Sequence, residues 1–236
     1  MYMEPDIFGR AFNDYLSGNK GERIRVDSNV AETSYIPVVY FFRSFEMMPE
    51  GEQKLMQACK GSVLDAGAGA GSHALYLQKK GLDVTAIDYS EGVVEAMKKR
   101  GVSKARCIDF FDLKEEKFDT ILFLMNGAGI AGTIEGLHNL LTHARTLLND
   151  DGSVFIESTD IMYMYETEDG SYKINLAADY YGEVTYKIQY GRLKSKHFKW
   201  LFVDRDNMID IAEKTGFKPR MFYDTGNVNY IMELKK

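Results

Sequence analysis

SVLDAGAGAGSHALYLQKKGLDVTAIDYS, residues 62–90, is the stretch around which the rest of this 236-residue chain is arranged. Its first apolar run, Val63-Leu64, ends in Asp65, and glycines follow at alternate positions, Gly67, Gly69 and Gly71, with Ala66 and Ala68 among them. Residues 73–80 read as an amphipathic helix whose apolar members are Ala74, Leu75 and Leu77. A second apolar run, residues 84–87, stops at Asp88. Strand, glycine turn, helix, strand and acid in that order make one βαβ unit of the nucleotide-binding kind. Glycine lets the backbone turn sharply and brings bare peptide against a ligand where a Cβ would block the approach. Asp88 stands at the tip of the second strand, where a carboxylate accepts hydrogen bonds from ribose hydroxyls.

The totals restrict the alternatives. The length suits one large α/β domain, or one domain with a modest appendage. With 45% hydrophobic and 27% charged residues, the composition is that of a globular protein with a full core. No apolar run approaches the ~20 residues of a membrane span. The first ten residues, MYMEPDIFGR, lack the basic and apolar pattern of a signal peptide, so a cytoplasmic location is expected. Cys59 and Cys107 have no metal-type spacing and read as two core thiols, so neither a metal site nor a disulfide is expected. A net charge of −6 and a pI near 5.3 argue against nucleic acid as a partner. They favour a small or cationic substrate only weakly.

Residues 1–50 read as an N-terminal helical cap. Ile7, Phe8, Phe12, Tyr15 and Leu16 recur at helical spacing, with Gly18 as the stop, and the polar segment around Ile24 and Val26 is a short strand or a loop. The aromatic run at residues 35–45 reads as a helix packed on the main domain, as a lid over the site, or as both. Residues 51–236 form the core domain. After the opening unit come a helix at 91–100, a strand at 105–108 ending in Asp109-Phe110, and an apolar strand at 118–125 ending in Asn126-Gly127. A helix at 133–148, a turn at Asp150-Asp151-Gly152 and a strand at 153–157 follow. This is a doubly wound α/β sheet. Period-two alternation at 172–176, 183–190 and 197–203 marks an antiparallel β insertion, residues 162–203, after the fifth strand. A helix at 204–215 and strands at 218–223 and 227–234 close the chain.

The glycine pattern has two readings. A dinucleotide fingerprint starting at Gly67 fails at Ser72, but one starting at Gly69 is formally met by Gly69, Gly71 and Ala74. The whole phrase Asp65-x-Gly67-x-Gly69-x-Gly71 resembles the first motif of the class I S-adenosylmethionine-dependent methyltransferases. Asp88, the Asp109-Phe110 pair, the Leu147-Leu148-x-x-x-Gly152 turn and the terminal hairpin extend the resemblance over about residues 55–234. The resemblance implies a seven-stranded, mostly parallel sheet with its last strand antiparallel. It also implies S-adenosyl-L-methionine as cofactor and S-adenosyl-L-homocysteine as product. Asp65 and the backbone of Ala66, Gly67, Ala68 and Gly69, with Gly71 closing the turn, would then line the methionine arm. Asp88, followed by Ser90, would hold the ribose diol. Tyr89 would lie along the adenine, with Asp109 at its amino group and Phe110 at its ring face. Asn126-Gly127 would border the methyl, and Tyr40 would close over the cofactor. This cofactor carries no phosphates, and the turn carries no basic residue.

Methyl transfer requires alignment of nucleophile, methyl and sulfur and exclusion of water, with a base only for a protonated acceptor. The Asn/Asp-Pro-Pro-Tyr/Phe motif of enzymes that methylate amide or exocyclic amine nitrogens is absent; Asn126-Gly127-Ala128-Gly129 stands in its place. The resulting expectation is a methyltransferase acting on oxygen or nitrogen of a small molecule, with neither nucleic acid nor membrane as partner and with oligomeric state left open. Base candidates are His197 in the insertion and Glu157 and Asp160 after the fifth strand. His73, His138 and His143 read as structural or solvated, and Lys194, Lys196 and Lys199 as an exposed charge run. Two other readings stay open: an NAD(P)-dependent oxidoreductase using Gly69-x-Gly71-x-x-Ala74, and a non-catalytic protein that binds the cofactor or a partner.

Overall fold

Along the strand that leads into the glycine turn, Val63 enters one apolar cluster and Leu64 the other, so the sheet is buried on both faces. A computed structural model describes residues 5–174 and 179–236. In chain order the elements are α1 (Ile7–Leu16), β1 (Arg23–Ser28), β2 (Ser34–Pro37), α2 (Glu50–Ala58), β3 (Ser62–Ala66), α3 (Ser72–Lys79), β4 (Asp83–Asp88), α4 (Glu91–Arg100), β5 (Ala105–Cys107) and β6 (Phe118–Phe123). They continue with α5 (Ile134–Thr146), β7 (Leu148–Thr159), β8 (Glu183–Tyr190), β9 (Leu193–Lys194), β10 (Phe198–Leu201), α6 (Arg205–Lys214), β11 (Lys218–Asp224) and β12 (Asn229–Lys235).

The main sheet has seven strands in the order β11-β12-β7-β6-β3-β4-β5. The pairings of β3 with β4 and β6, of β4 with β5 and of β6 with β7 are parallel, while β12 runs antiparallel to both β7 and β11. The last strand is therefore the reversed one, as expected. Leu55, Leu77, Val94 and Met97 of α2 to α4 cover one face; Leu137, Leu141, Met208 and Ile211 of α5 and α6 cover the other. Caps set several boundaries: Ser90 accepts from Val93 N–H, Thr133 from Gly136 N–H and Asp204 from Asn207 N–H. The Asp150-Asp151-Gly152 turn lies inside β7 as a register irregularity, and the ladder with β6 resumes at Ser153.

In the N-terminal region the short strand allowed around Ile24 and Val26 is present as β1, and with β2 it makes the expected helical cap part helix and part sheet. After α1, strands β1 and β2 pair with each other, and β1 pairs with β8 of the insertion. Two segments far apart in sequence thus build one antiparallel sheet, β10-β8-β1-β2, with β9 on β8. The aromatic run is not an α-helix either. Ile36 pairs across β1 with Ile24, Pro37 ends the strand, and Val38–Phe42 forms a single 3₁₀ turn. That turn delivers Phe41 and Phe42 onto Phe12 of α1, with ring centroids 5.1 and 5.4 Å away. In the insertion, Val184, Ile188 and Tyr190 of β8 are buried as the alternation requires. The strand expected at 172–176 reduces to one bridge between Tyr172 and Glu166, and Leu176 lies outside the described residues.

Helix α1 is tied to α4 by Asp6 and by Asn13, whose amide donates to the Gly92 carbonyl at 2.8 Å and accepts from Lys99 Nζ at 2.8 Å. Asp6 caps α1 at Gly9 N–H and also accepts from Ser90 Oγ (2.6 Å) and Gly92 N–H (3.1 Å). The backbones meet at Gly9 and Gly92, where a Cβ on Gly92 would lie 2.9 Å from the Gly9 Cα. Asp6→Ala removes a cap and two bonds between elements and is expected to cost about 1–2 kcal/mol in urea unfolding. An unchanged midpoint would show that Asn13 and the apolar contacts seat α1 without Asp6.

Candidate active site

The glycine turn has the conformation its residues permit. Gly67, Gly69 and Gly71 take φ of 70°, 54° and 78°, in the left-handed region that other residues avoid. The N–H groups of Gly67 and Ala68 both reach the Ile87 carbonyl at 3.0 Å, holding the turn against the end of β4. There Asp88 accepts from Gly69 N–H at 3.3 Å and from Ser90 N–H at 3.0 Å. Burial nevertheless pushes its carboxyl up to about 6. Adding strands outward from β3 gives β4 and β5 on one side and β6 and β7 on the other, so the order of strand addition reverses between the parallel strands β3 and β6. Ligands of such sheets bind at that point, outside the carboxyl ends of the strands.

Ser72, which breaks the dinucleotide pattern, has a different task. Its hydroxyl donates to the Phe41 carbonyl at 2.9 Å, pinning the aromatic 3₁₀ turn to the start of α3. The pin places Arg43 in a buried ionic cluster. One guanidinium nitrogen donates to both carboxylate oxygens of Glu52 at 3.1 and 3.0 Å, and His73 Nε2 lies 2.6 Å from the same carboxylate. Arg43, Glu52 and His73 are each no more than 4% exposed. Burial opposes the charge on His73, but the Glu52 bond and the Asp65 charge outweigh it and its pKa is raised; Glu52 is lowered against its own burial by His73 and Arg43. Asp65 is 2% exposed, and burial raises its carboxyl despite His73 nearby. Tyr40 lays its ring over the Arg43 guanidinium, 4.5 Å from the centroid.

Across the reversal point, Met125 and Asn126 have φ of 56° and 58°, two consecutive side-chain-bearing residues in the left-handed region. Glu157 of β7 holds them there by accepting from Met125 N–H at 2.7 Å. Burial, with the Glu52 charge second, raises the Glu157 carboxyl to about 7. Asn126 donates through Nδ2 to the Leu201 carbonyl of β10 at 3.3 Å. Trp200 lies flush on the following turn, for a Cβ on Gly129 would sit 1.9 Å from its indole. Among the described residues, three buried side-chain atoms at this site have no hydrogen-bond partner: Asp65 Oδ2, Arg43 Nε and Asn126 Oδ1.

The structure therefore brings Asp65, the glycine turn, Asp88, Ser90, Asn126, Gly127, Glu157 and Tyr40 to one edge. Tyr89, half exposed, follows Asp88 there. Asp109 caps a turn by accepting from Phe111 N–H at 2.9 Å. Phe110 is 6% exposed and packs edge-on against Phe123 and His143, so its ring faces the core and Phe111 is the exposed neighbour. Two base candidates have other settings: Asp160 accepts from Met162 N–H and Tyr181 Oη, and His197 is exposed in the segment between β9 and β10. Of the lysines, Lys199 pairs with Asp179 and Glu183. Arg43 and Glu52 escaped the sequence reading, since neither stands in a motif, and His73 was read only as a cap or packing residue.

Both Asp88 and Glu157 have folded-state pKa values above the ordinary carboxyl range. Their stabilising contribution is complete at low pH and is lost as pH rises through about 6 and about 7. Asp88→Asn and Glu157→Gln should therefore gain stability relative to wild type between pH 5 and pH 8, on the order of 1 kcal/mol each. Urea unfolding at the two pH values checks this, and a pH-independent difference refutes it.

A methyltransferase-domain family model matches residues 45–220. A S-adenosylmethionine-dependent methyltransferase from Bacteroides fragilis, solved in complex with S-adenosyl-L-homocysteine, is 38% identical; the match covers 99% of this chain and 96% of that one, with a TM-score of 0.91. The CcbJ methyltransferase from Streptomyces caelestis shares 14% identity over 81% of this chain and 98% of that one, with a TM-score of 0.62. The sugar N-methyltransferase KedS8 from Streptoalloteichus sp. shares 14% over 83% and 89%, with a TM-score of 0.56. These last two show the fold alone. No curated protein matches the chain significantly. Family, fold and buried acids together set aside the oxidoreductase reading: the chain belongs to the S-adenosylmethionine-dependent methyltransferases.

Proposed function

We propose that this enzyme transfers the methyl group in line to an oxygen or nitrogen of a small molecule, and that the unpartnered atoms of the buried cluster bind the amino-acid end of the cofactor. That end is a zwitterion. Asp65 Oδ2 is a buried acceptor with no donor, and Arg43 Nε is a buried donor with no acceptor. Together they complement an ammonium and a carboxylate, and this pairing is the observation that carries the reading. Buried polar atoms left unpaired cost about 1–3 kcal/mol each, which a matching ligand returns.

The other residues take roles consistent with their places. Asp88, oriented by Gly69 and Ser90, accepts from the ribose hydroxyls, while Tyr89 and Asp109 border the adenine and Phe110 supports that end from the core. The backbone from Ala66 to Gly71 passes along the methionine arm, and Tyr40 covers it from the side of Arg43. Asn126 and Gly127 border the transferable methyl. When bound, the sulfonium supplies a methyl carbon already activated for displacement. The chain's own work is to align the acceptor, exclude water and place acids near positive charge. Because β1 and β2 share a sheet with β8 and β10, these strands of the N-terminal segment and the insertion together flank the acceptor side of the cleft.

Titration calorimetry with S-adenosylhomocysteine and with 5′-methylthioadenosine, which lacks the amino-acid end, tests the assignment. Arg43→Gln should weaken the first at least about tenfold, or ~1.4 kcal/mol, and leave the second within about twofold. Asp88→Ala should weaken both. Equal losses of the two ligands in Arg43→Gln would remove Arg43 from the site.

A further inference from the structure

Glu157 and Asn126 stand at the ends of adjacent strands on the acceptor side of the reversal point. Asn126 spends its donor on the Leu201 carbonyl, which fixes the orphaned atom as an oxygen. Glu157 spends one oxygen on Met125 N–H, and among the described residues nothing donates to the other. We propose that this pair is the acceptor subsite and that the acceptor is an amine, bound as its ammonium and deprotonated by Glu157; the proposal rests on the methyltransferase reading above.

Two oxygens without a donor between them call for a group that brings at least two N–H bonds. A hydroxyl brings one proton and leaves the other oxygen bare, while an ether or carbonyl brings none. Charge points the same way. Glu157 faces Glu52 of α2, His73 of α3, the Arg43 guanidinium, the Tyr40 hydroxyl and the Met125 N–H. With Asp65 the cluster holds three carboxylates against two cationic side chains, so a further cation is welcome. Trp200 on Gly129 and the Tyr40 ring supply aromatic surface beside it.

The step balances without another reagent. The ammonium gives one proton to the Glu157 carboxylate and becomes an amine with a free lone pair. Its nitrogen then forms the N–C bond as the C–S⁺ bond breaks, with that electron pair passing to sulfur. The product leaves as the methylated ammonium, and Glu157 returns its proton to water. A carboxyl raised to about 7 is suited to take a proton near neutrality.

The test uses wild-type protein saturated with S-adenosylhomocysteine, titrated with shape-matched pairs: benzylamine against benzyl alcohol, and cyclohexylamine against cyclohexanol. At least one amine should bind roughly tenfold or more tighter than its alcohol. Its affinity should fall about tenfold from pH 8 to pH 6, as Glu157 is protonated while the amine stays charged at both. Glu157→Gln, which keeps an oxygen for Met125 N–H, should abolish the preference and its pH dependence while S-adenosylhomocysteine still binds. Asn126→Gly, which tolerates the positive φ, should weaken the amine severalfold. If product binds but no amine is preferred, or Glu157→Gln keeps the preference, the subsite assignment is wrong and the methyltransferase reading stands. If S-adenosylhomocysteine itself fails to bind, both fall.

Discussion

The active site is organised by one buried carboxylate, Glu52, held between Arg43 and His73. Burying an ion pair is favourable only when its geometry is good and its remaining hydrogen-bond capacity is met. Here both Glu52 oxygens bond to Arg43 and one also to His73. The contact draws together three parts of the chain: the aromatic turn, α2 and the first turn of α3. Without it, Arg43 would have no reason to remain 4% exposed beside the glycine loop. Removing one partner of such a pair costs about 3–5 kcal/mol, because a lone charge is left behind. The cleft wall is thus an electrostatic construction laid over a hydrophobic one, with Phe41 and Phe42 on α1 providing the apolar half.

Across the cleft the corresponding constraint is backbone strain. Left-handed backbone at Met125 and Asn126 costs of order 1 kcal/mol or more per residue, and it persists only where surroundings hold it. Glu157 holds the first and the Leu201 carbonyl holds the second. The second anchor comes from the insertion, so β10 reaches back to fix the segment after β6. This explains why Trp200 must lie flush on Gly129: the insertion has to approach within bonding distance of a main-chain turn.

The glycine-turn half of the candidate site was legible in the sequence because its shape depends on backbone. A sharp turn needs glycine at set spacing, and the acid that accepts from it must end the next strand, so Gly67, Gly69, Gly71 and Asp88 carry their positions openly. The two-faced sheet was legible for a similar reason, since continuous apolar runs such as residues 118–125 have no other stable setting. Arg43 and Glu52 were not legible, because their meaning lies in contacts between residues that share no motif. Ser72 was visible only as a departure from a pattern; its bond to Phe41 shows what the departure is for. The strands of the insertion were legible from their alternation, but their union with β1 and β2 was not, because β1 and β2 are short and β8, the partner of β1, lies more than a hundred residues onward.

The same charges that make the site useful make it costly to the protein alone. Asp65, Asp88 and Glu157 are all raised by burial, and Asp65 and Asn126 each keep an oxygen unpaired in the interior. An apolar core would have been more stable at these positions. What the arrangement provides is a pocket whose oxygens are already desolvated and oriented before any cation arrives. A sulfonium or ammonium entering it meets charge that has little water to shed and little reorientation to undergo. Preorganisation of this kind holds only if the carboxylates cannot relax toward solvent. That restraint is supplied by Ser90 and Gly69 on Asp88, by Met125 on Glu157 and by the Ala74 N–H on Asp65. The stability given up in the free protein is therefore the counterpart of oxygens that stand desolvated and oriented at the cleft.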